Sequence, residues 1–148
     1  MDLVLSRINE QSMACWQNKW SSGNLGRLCY SIVPEIDDRP WFAGLRGLLS
    51  RREIVLGGRI MSNHYGLNAH LNRIGITYTA MCPECNEYLN IDHVLFRCPA
   101  NAAGRHELVS SCFELTGSRD ICALAVERKR NSSFRAIEKF CRTNNVRF

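Results

Sequence analysis

The stretch CPECNEYLNIDHVLFRCP, residues 82–99, concentrates three cysteines and one histidine in a chain that otherwise has the composition of an ordinary helical protein. These four residues follow the pattern C-x2-C-x7-H-x4-C and are Cys82, Cys85, His93 and Cys98. A C-x2-C pair lets two thiolates from one tight turn bind the same ion, and Asn86 suits that turn because asparagine tolerates positive φ. The His and the last Cys lie within reach of one helical turn.

This ligand set predicts one structural Zn²⁺. Three thiolates and an imidazole form a closed tetrahedral site with no position left for water, which argues against zinc catalysis. Asp92 is a candidate to orient the ring of His93, its neighbour in sequence. The alternative, a redox pair of Cys82 and Cys85, is disfavoured because no βαβ pattern surrounds them.

The rest of the chain predicts a mainly α fold, with this small zinc knuckle inserted between helices. A helix is expected over about residues 3–20, because apolar residues recur there near the helical period. The segment over about 21–40 is expected to be extended or looped. Further helices are expected to restart near 50, to cover LNAHLNRIG, to run from Pro99 to Gly117, to begin at Ser118, and to cover SSFRAIEKFCRTNN.

The length of 148 residues favours a single domain with its own core. We expect the chain to divide into a helical part over 1–78, the zinc knuckle over 79–100 and basic helices over 101–148. The start of the chain does not resemble a secretory signal and no apolar run is long enough to span a membrane. We therefore expect an intracellular, non-secreted protein of the nucleus or cytoplasm, in which cysteines are thiols or metal ligands.

The remaining cysteines are expected to be small hydrophobic residues rather than disulfide partners. Four of them lie in apolar stretches of helical character, and these are Cys15, Cys112, Cys122 and Cys141. Cys29 lies in a less regular segment.

The net charge of +5 is concentrated in two blocks that flank the acidic, cysteine-bearing middle. Sixteen of the nineteen basic residues are arginine, and this excess suits two-pronged phosphate contacts better than simple solubility. A nucleic-acid surface explains this pattern as well as solvated helix faces with internal ion pairs do. The candidate contacts are Arg51, Arg52, Arg59, Arg128, Lys129, Arg130, Arg135, Lys139 and Arg142. Tyr88, Trp41 and Phe96 are aromatic candidates for base stacking, although core packing is the better interpretation of the last two.

The cysteine block also resembles a known family. The segment CPECNEYLNIDHVLFRCP, followed by Arg105, resembles the C-terminal tail of the reverse transcriptase polyproteins of insect-type non-LTR retrotransposons, such as those of the Jockey and I kinds. The upstream Trp16 and Trp20, Gly26-Arg27, Pro40-Trp41 and LGGRIMSNHYGLNAHLNRIGI resemble other parts of that tail, so the resemblance covers roughly residues 13–110. It implies that the four Cys/His residues bind zinc and that the chain is the tail alone, excised or captured as a host gene.

Two functions remain open at this stage. One is a non-catalytic module that binds RNA or DNA, as the resemblance implies. The other is a protein-interaction adaptor or scaffold that keeps only the zinc-stabilised fold and binds a protein partner or itself. An enzyme is not expected, because polymerase motifs and a set of acids for two metals are missing. Neither a small-molecule substrate nor a membrane partner is expected.

Overall fold

The computed structural model describes residues 3–117 and 130–147. Six α-helices lie in the described part of the chain: α1 (Leu3–Ser22), α2 (Arg27–Ile32), α3 (Arg51–Ser62), α4 (Asn68–Arg73), α5 (Arg105–Thr116) and α6 (Arg130–Thr143). Short 3₁₀ turns cover Ala43–Leu45 and Pro99–Asn101. The described residues form no named strand, only two isolated β-bridges. The expected mainly α fold is therefore confirmed.

Helix α6 is the centre of the core. It packs against α3 on one side and α5 on the other. Its residues Phe134, Ile137, Phe140 and Cys141 are buried, as the spacing predicts. The apolar side chains of α6 therefore join two helices that are far apart in sequence.

Several helix ends follow directly from local sequence. At the start of α3, the Ser50 hydroxyl accepts from the backbone N–H of Glu53, and the Glu53 carboxylate accepts from the backbone N–H of Ser50 at 2.6 Å. This capping box confirms the expected restart near residue 50. Gly75 follows α4 with φ 77°, and Gly117 ends α5 with φ 67°, a conformation that costs glycine little. The cap expected at Ser118 and the helix after it lie outside the described residues.

The expectation of an extended or looped segment over 21–40 is wrong in part, because α2 lies inside it. Helix α2 has only six residues and packs on α3. Its Ile32 is buried beside Met61 of α3. Since a helix this short is marginal alone, its stability depends on that distant contact.

Helix α1 begins and ends close to the expected bounds, but it contains no buried residue. Leu5, Ile8 and Trp16 are each more than half exposed, and Cys15 is exposed too. The expectation that Cys15 is a packed hydrophobic residue is therefore wrong. The helix is attached near its C-terminal end, where the Trp20 indole N–H donates to the carbonyl of Val33 at 2.9 Å.

The guanidinium of Arg27 closes the end of α1. It lies 4.0 Å from the centre of the Tyr30 ring and donates to the carbonyls of Trp20, Ser21 and Gly23. These carbonyls have no intrahelical partner, so the contact satisfies them.

Within the described residues, none of the helices combines the length and apolar character needed to cross a membrane.

Candidate metal centre and cationic groove

The structure brings the four predicted ligands together. The ligand atoms of Cys82, Cys85, His93 and Cys98 all lie within 4.8 Å of one another. Cys82, His93 and Cys98 are buried, whereas Cys85 is half-buried at the edge of the site. These residues could hold a metal ion.

Two of the distances between donor atoms are close to those of a tetrahedrally coordinated ion. With Zn–S bonds of about 2.3 Å, tetrahedral geometry separates two sulfurs by about 3.8 Å, and a sulfur and a nitrogen by about 3.6 Å. The Sγ atoms of Cys82 and Cys98 are 3.8 Å apart, and Cys85 Sγ is 3.3 Å from Nε2 of His93. A disulfide bond would place the two sulfurs about 2.05 Å apart. The donors are thus placed for a shared cation rather than a covalent bridge.

The first two ligands lie on a tight hairpin. The backbone N–H of Cys82 donates to the carbonyl of Glu87 at 2.7 Å, and the N–H of Asn86 donates to the carbonyl of Cys82 at 2.9 Å. Asn86 has φ 58°, which confirms the expected left-handed turn residue. An isolated antiparallel bridge between Met81 and Tyr88 closes the hairpin.

The other two ligands lie at the two ends of a wide helical turn over His93–Arg97. The backbone N–H of Cys98 donates to the carbonyl of His93 at 2.7 Å, a five-residue step typical of a π-helix. Leu95, between them, is fully buried in the main core. The turn therefore aims its two ligands at the metal position while its middle anchors the loop to the protein.

Arg105 supports this turn from α5. Its Nε donates to the carbonyl of Leu95 at 3.1 Å, and a terminal nitrogen lies within hydrogen-bonding distance of the carbonyls of Val94 and Cys98. The Cys98 carbonyl also accepts from the backbone N–H of Asn101 at 3.2 Å, and the guanidinium fork supplies several donors at once to the three carbonyls. This gives a physical reason for an Arg a few residues after the last Cys.

The ring of His93 is oriented by Glu87, not by the expected Asp92. A carboxylate oxygen of Glu87 lies 3.0 Å from Nδ1 of His93. Since an ionised carboxylate only accepts, Nδ1 carries the proton and the Nε2 lone pair faces the three sulfurs. Glu87 follows Cys85 by two residues, so the hairpin that supplies the first ligands also fixes the histidine.

The charges at the site favour a bound cation. Burial raises the pKa of Cys82, but hydrogen bonds from the backbone N–H groups of Glu84 and Cys85, together with contacts to the side chains of His93 and Cys85, outweigh burial and lower that pKa to about 7. For Cys85, the backbone N–H of Glu87 lowers the pKa, but burial and the neighbouring Cys82 raise it by more. Ionisation of Cys82 thus opposes ionisation of Cys85, and a bound divalent cation would remove this repulsion.

The cysteines outside the centre have a different environment. Burial raises the pKa of Cys112 to about 11 and that of Cys141 to about 12. Both are buried in the core and neither is paired in a disulfide. They are packed, unreactive thiols, as expected. Cys122 lies outside the described residues.

The histidines that were not predicted as ligands lie away from the metal cluster. His70 is buried, and its Nδ1 lies 2.8 Å from a guanidinium nitrogen of Arg73. The ring of His64 is 4.3 Å from that of His70, centre to centre. His106 is exposed on α5. The ligand set predicted from sequence is therefore the one that the described residues bring together.

A second feature is a groove of about 610 Å³ between α3 and the C-terminal end of α6. It gathers four of the nine predicted nucleic-acid contacts, Arg51, Arg52, Arg59 and Arg142. It adds Arg147, which the sequence analysis missed because nothing in the sequence indicates which arginine the chain brings beside α3. The acidic residue among the described lining residues is Glu138, 2.6 Å from Arg142.

Two of the other predicted contacts, Arg135 and Lys139, do not line this groove. Arg135 donates to the carbonyl of Leu48 and lies 3.8 Å from the Glu53 carboxylate. Lys139 pairs with Glu107 of α5. Arg128 and Lys129 lie outside the described residues, as does the side chain of Arg130.

The aromatic candidates differ in exposure. Trp41 packs edge-on against Phe134, with ring centres 5.7 Å apart. Phe96 is half-buried against the core. Tyr88 is 55% exposed at the metal hairpin and is thus the accessible one of the three.

Comparison with protein-family models, curated proteins and solved structures finds no match to this chain. The resemblance to retrotransposon tails therefore stays a prediction.

Proposed function

We propose that this chain is a non-catalytic nucleic-acid-binding module whose fold is stabilised by one Zn²⁺, and that it derives from a retrotransposon tail. The observation that carries the proposal is the groove, because it joins two basic segments about 80 residues apart in sequence into one cationic surface. A protein of this kind would act in the nucleus or cytoplasm, where thiols stay reduced.

The zinc assignment is supported by the soft ligand set and the tetrahedral donor spacing. All four positions are taken by protein donors, so the ion would hold the hairpin to the wide turn and have no position for a reacting water. The turn with His93 and Cys98 is anchored in the main core through Val94 and Leu95, whereas no residue over 79–88 belongs to that core. The metal would therefore hold the hairpin to a turn that the core already fixes.

Metal analysis of the purified protein tests this assignment. We expect one zinc per chain, and a strong chelator should unfold the segment over 79–100, because its ligands repel one another without the cation. Cys85→Ser should abolish stoichiometric zinc binding, whereas Cys15→Ser on exposed α1 should retain it. A metal-free protein with the same hydrogen-exchange protection over 79–100 would contradict the assignment.

The nucleic-acid assignment rests on unpaired arginines. Within the described residues, Arg51, Arg52, Arg59 and Arg147 have no ion pair, and all four are exposed. Four like charges around one groove repel one another, and a phosphate backbone would relieve that repulsion. If all four contact phosphates, the logarithm of the association constant should fall with the logarithm of salt concentration with a slope of about −2.8 for a single strand or about −3.6 for a duplex.

Fluorescence anisotropy with labelled RNA and DNA at several salt concentrations measures this slope. Arg51→Ala and Arg59→Ala should each weaken binding and reduce the steepness of the salt dependence by roughly 0.7 to 0.9. Arg7→Ala on α1 is the matched control and should change neither. If no nucleic acid binds at low salt, the proposed function is wrong.

Helix α1 favours the second candidate, a protein-interaction adaptor. Leu3 is 82% exposed, Leu5 63% and Ile8 54%, an apolar surface that the described part of the chain leaves uncovered. Sedimentation of the wild type and of a Leu5→Gln, Ile8→Gln variant tests self-association. A mass that drops only in the variant would support the adaptor role.

A further inference from the structure

The groove has a charged rim and an apolar floor. Arg51, Arg52 and Arg59 project from α3, and Arg147 follows α6. Between them, Val55 is 44% exposed, and Leu56, Cys141 and Val146 also line the groove. A ligand that fills the groove therefore meets cations at its edges and hydrocarbon at its base.

The floor distinguishes between the two forms of nucleic acid. A duplex presents phosphates and the edges of its bases, while the flat faces of the bases are stacked inside it. It can contact the rim, but the base faces that would cover Val55 are stacked inside it. A single strand exposes base faces, which stack on aromatic rings and guanidinium planes and pack against apolar side chains.

The dimensions agree with a short single strand. Arg51 and Arg59 are eight residues apart on one helix, which corresponds to about 12 Å along the axis. At about 3.4 Å per nucleotide in a stacked strand, this length holds three or four nucleotides. It agrees with the four groove-lining arginines that have no ion pair within the described residues, Arg51, Arg52, Arg59 and Arg147.

The lining also predicts little base preference. None of the described residues that line the groove is aromatic, and the uncharged polar one is Asn145. Guanidinium planes and aliphatic carbons contact any base face, so they do not distinguish one base from another. The arginines then contact the backbone, which carries no sequence information.

We propose that the groove between α3 and the end of α6 binds single-stranded nucleic acid in preference to duplex, with phosphates on the arginine rim and base faces on the floor at Val55. This inference rests on the proposed function and specifies its substrate class. RNA and DNA share the chemistry that the groove recognises.

The first experiment measures anisotropy with a labelled 12-nucleotide RNA, the DNA of the same sequence, and each strand annealed to its complement. We expect both single strands to bind at least about tenfold more tightly than both duplexes at the same salt. Equal or tighter binding of the duplexes would overturn this inference and leave the proposed function standing. No binding of any of the four would overturn both.

A second experiment separates the floor from the rim. Val55→Gln introduces a better helix former and keeps all of the arginines. It should therefore weaken single-strand binding about three- to tenfold without changing the salt slope or the duplex affinity. Ile8→Gln is the matched control, because Ile8 is also a half-exposed aliphatic residue on a helix. Unchanged single-strand binding by Val55→Gln, with circular dichroism equal to wild type, would refute the role of the floor.

Discussion

Two adjacent glycines in α3 allow a sharp test of the core. A Cβ atom added to Gly57 would lie 2.7 Å from the Trp41 ring and 2.8 Å from the Phe134 ring. A Cβ atom at Gly58 would meet nothing within 4 Å. Gly57→Ala and Gly58→Ala therefore make the same chemical change on the same helix, one turned toward the core and one turned away from it.

The expected magnitudes follow from two opposing effects. Replacing glycine by alanine in a helix interior stabilises it by about 1 kcal/mol. At position 57 the new methyl group overlaps two rings whose carbons it should approach no closer than about 3.5 Å. Overpacking of this kind costs about 1–3 kcal/mol. Since the propensity effect cancels in the comparison, Gly57→Ala should be less stable than Gly58→Ala by about 1–3 kcal/mol.

Urea denaturation followed by circular dichroism, with zinc present throughout, measures the free energies of unfolding. Phe134→Leu removes one of the two rings, so in the double mutant Gly57→Ala should cost less than it does in the wild-type background, with a coupling of about 0.5–3 kcal/mol. If both alanine variants are equally stabilised, within about 0.5 kcal/mol, then α3 and α6 do not meet at this point and the described core is wrong.

Two further predictions concern the cysteines and their surroundings. Glu87→Gln should lower zinc affinity about 10- to 100-fold, because it removes the carboxylate that orients the ligand histidine. A competition assay with a chromogenic chelator measures this, with Glu84→Gln as the control that should keep wild-type affinity. Equal affinities of the two variants would contradict the orienting role. In the native protein an alkylating reagent should modify Cys15 quickly and leave Cys112 and Cys141 unmodified. Burial both raises the pKa of these two thiols and blocks access to them. Peptide mass mapping measures the modification, and equal reaction of all three cysteines would refute the prediction.

Features that depend on neighbours in sequence could be predicted from the sequence. The capping box at Ser50, the positive φ of Asn86 and the end of α5 at Gly117 each involve residues at most a few positions apart. The metal-ligand set could be predicted for the same reason, because its four residues lie within a stretch of seventeen residues. Such features need no knowledge of how the chain folds over longer distances.

Features that depend on distant contacts were missed. Helix α2 depends on Met61, about 30 residues away in sequence, and nothing local indicates that contact. Arg135 and Lys139 were predicted as phosphate contacts, but both interact with acidic residues of other helices. Glu87 was overlooked because the hairpin, rather than adjacency in sequence, brings it to His93.

The wide turn between His93 and Cys98 has a consequence for how this segment can vary. One residue added or removed there would rotate the last sulfur by on the order of 100° about the helix axis and aim it away from its partners. Exchanging one intervening side chain for another of similar size would leave that direction unchanged. Natural variants of this loop should therefore differ in the identity of the intervening residues but keep the same loop length.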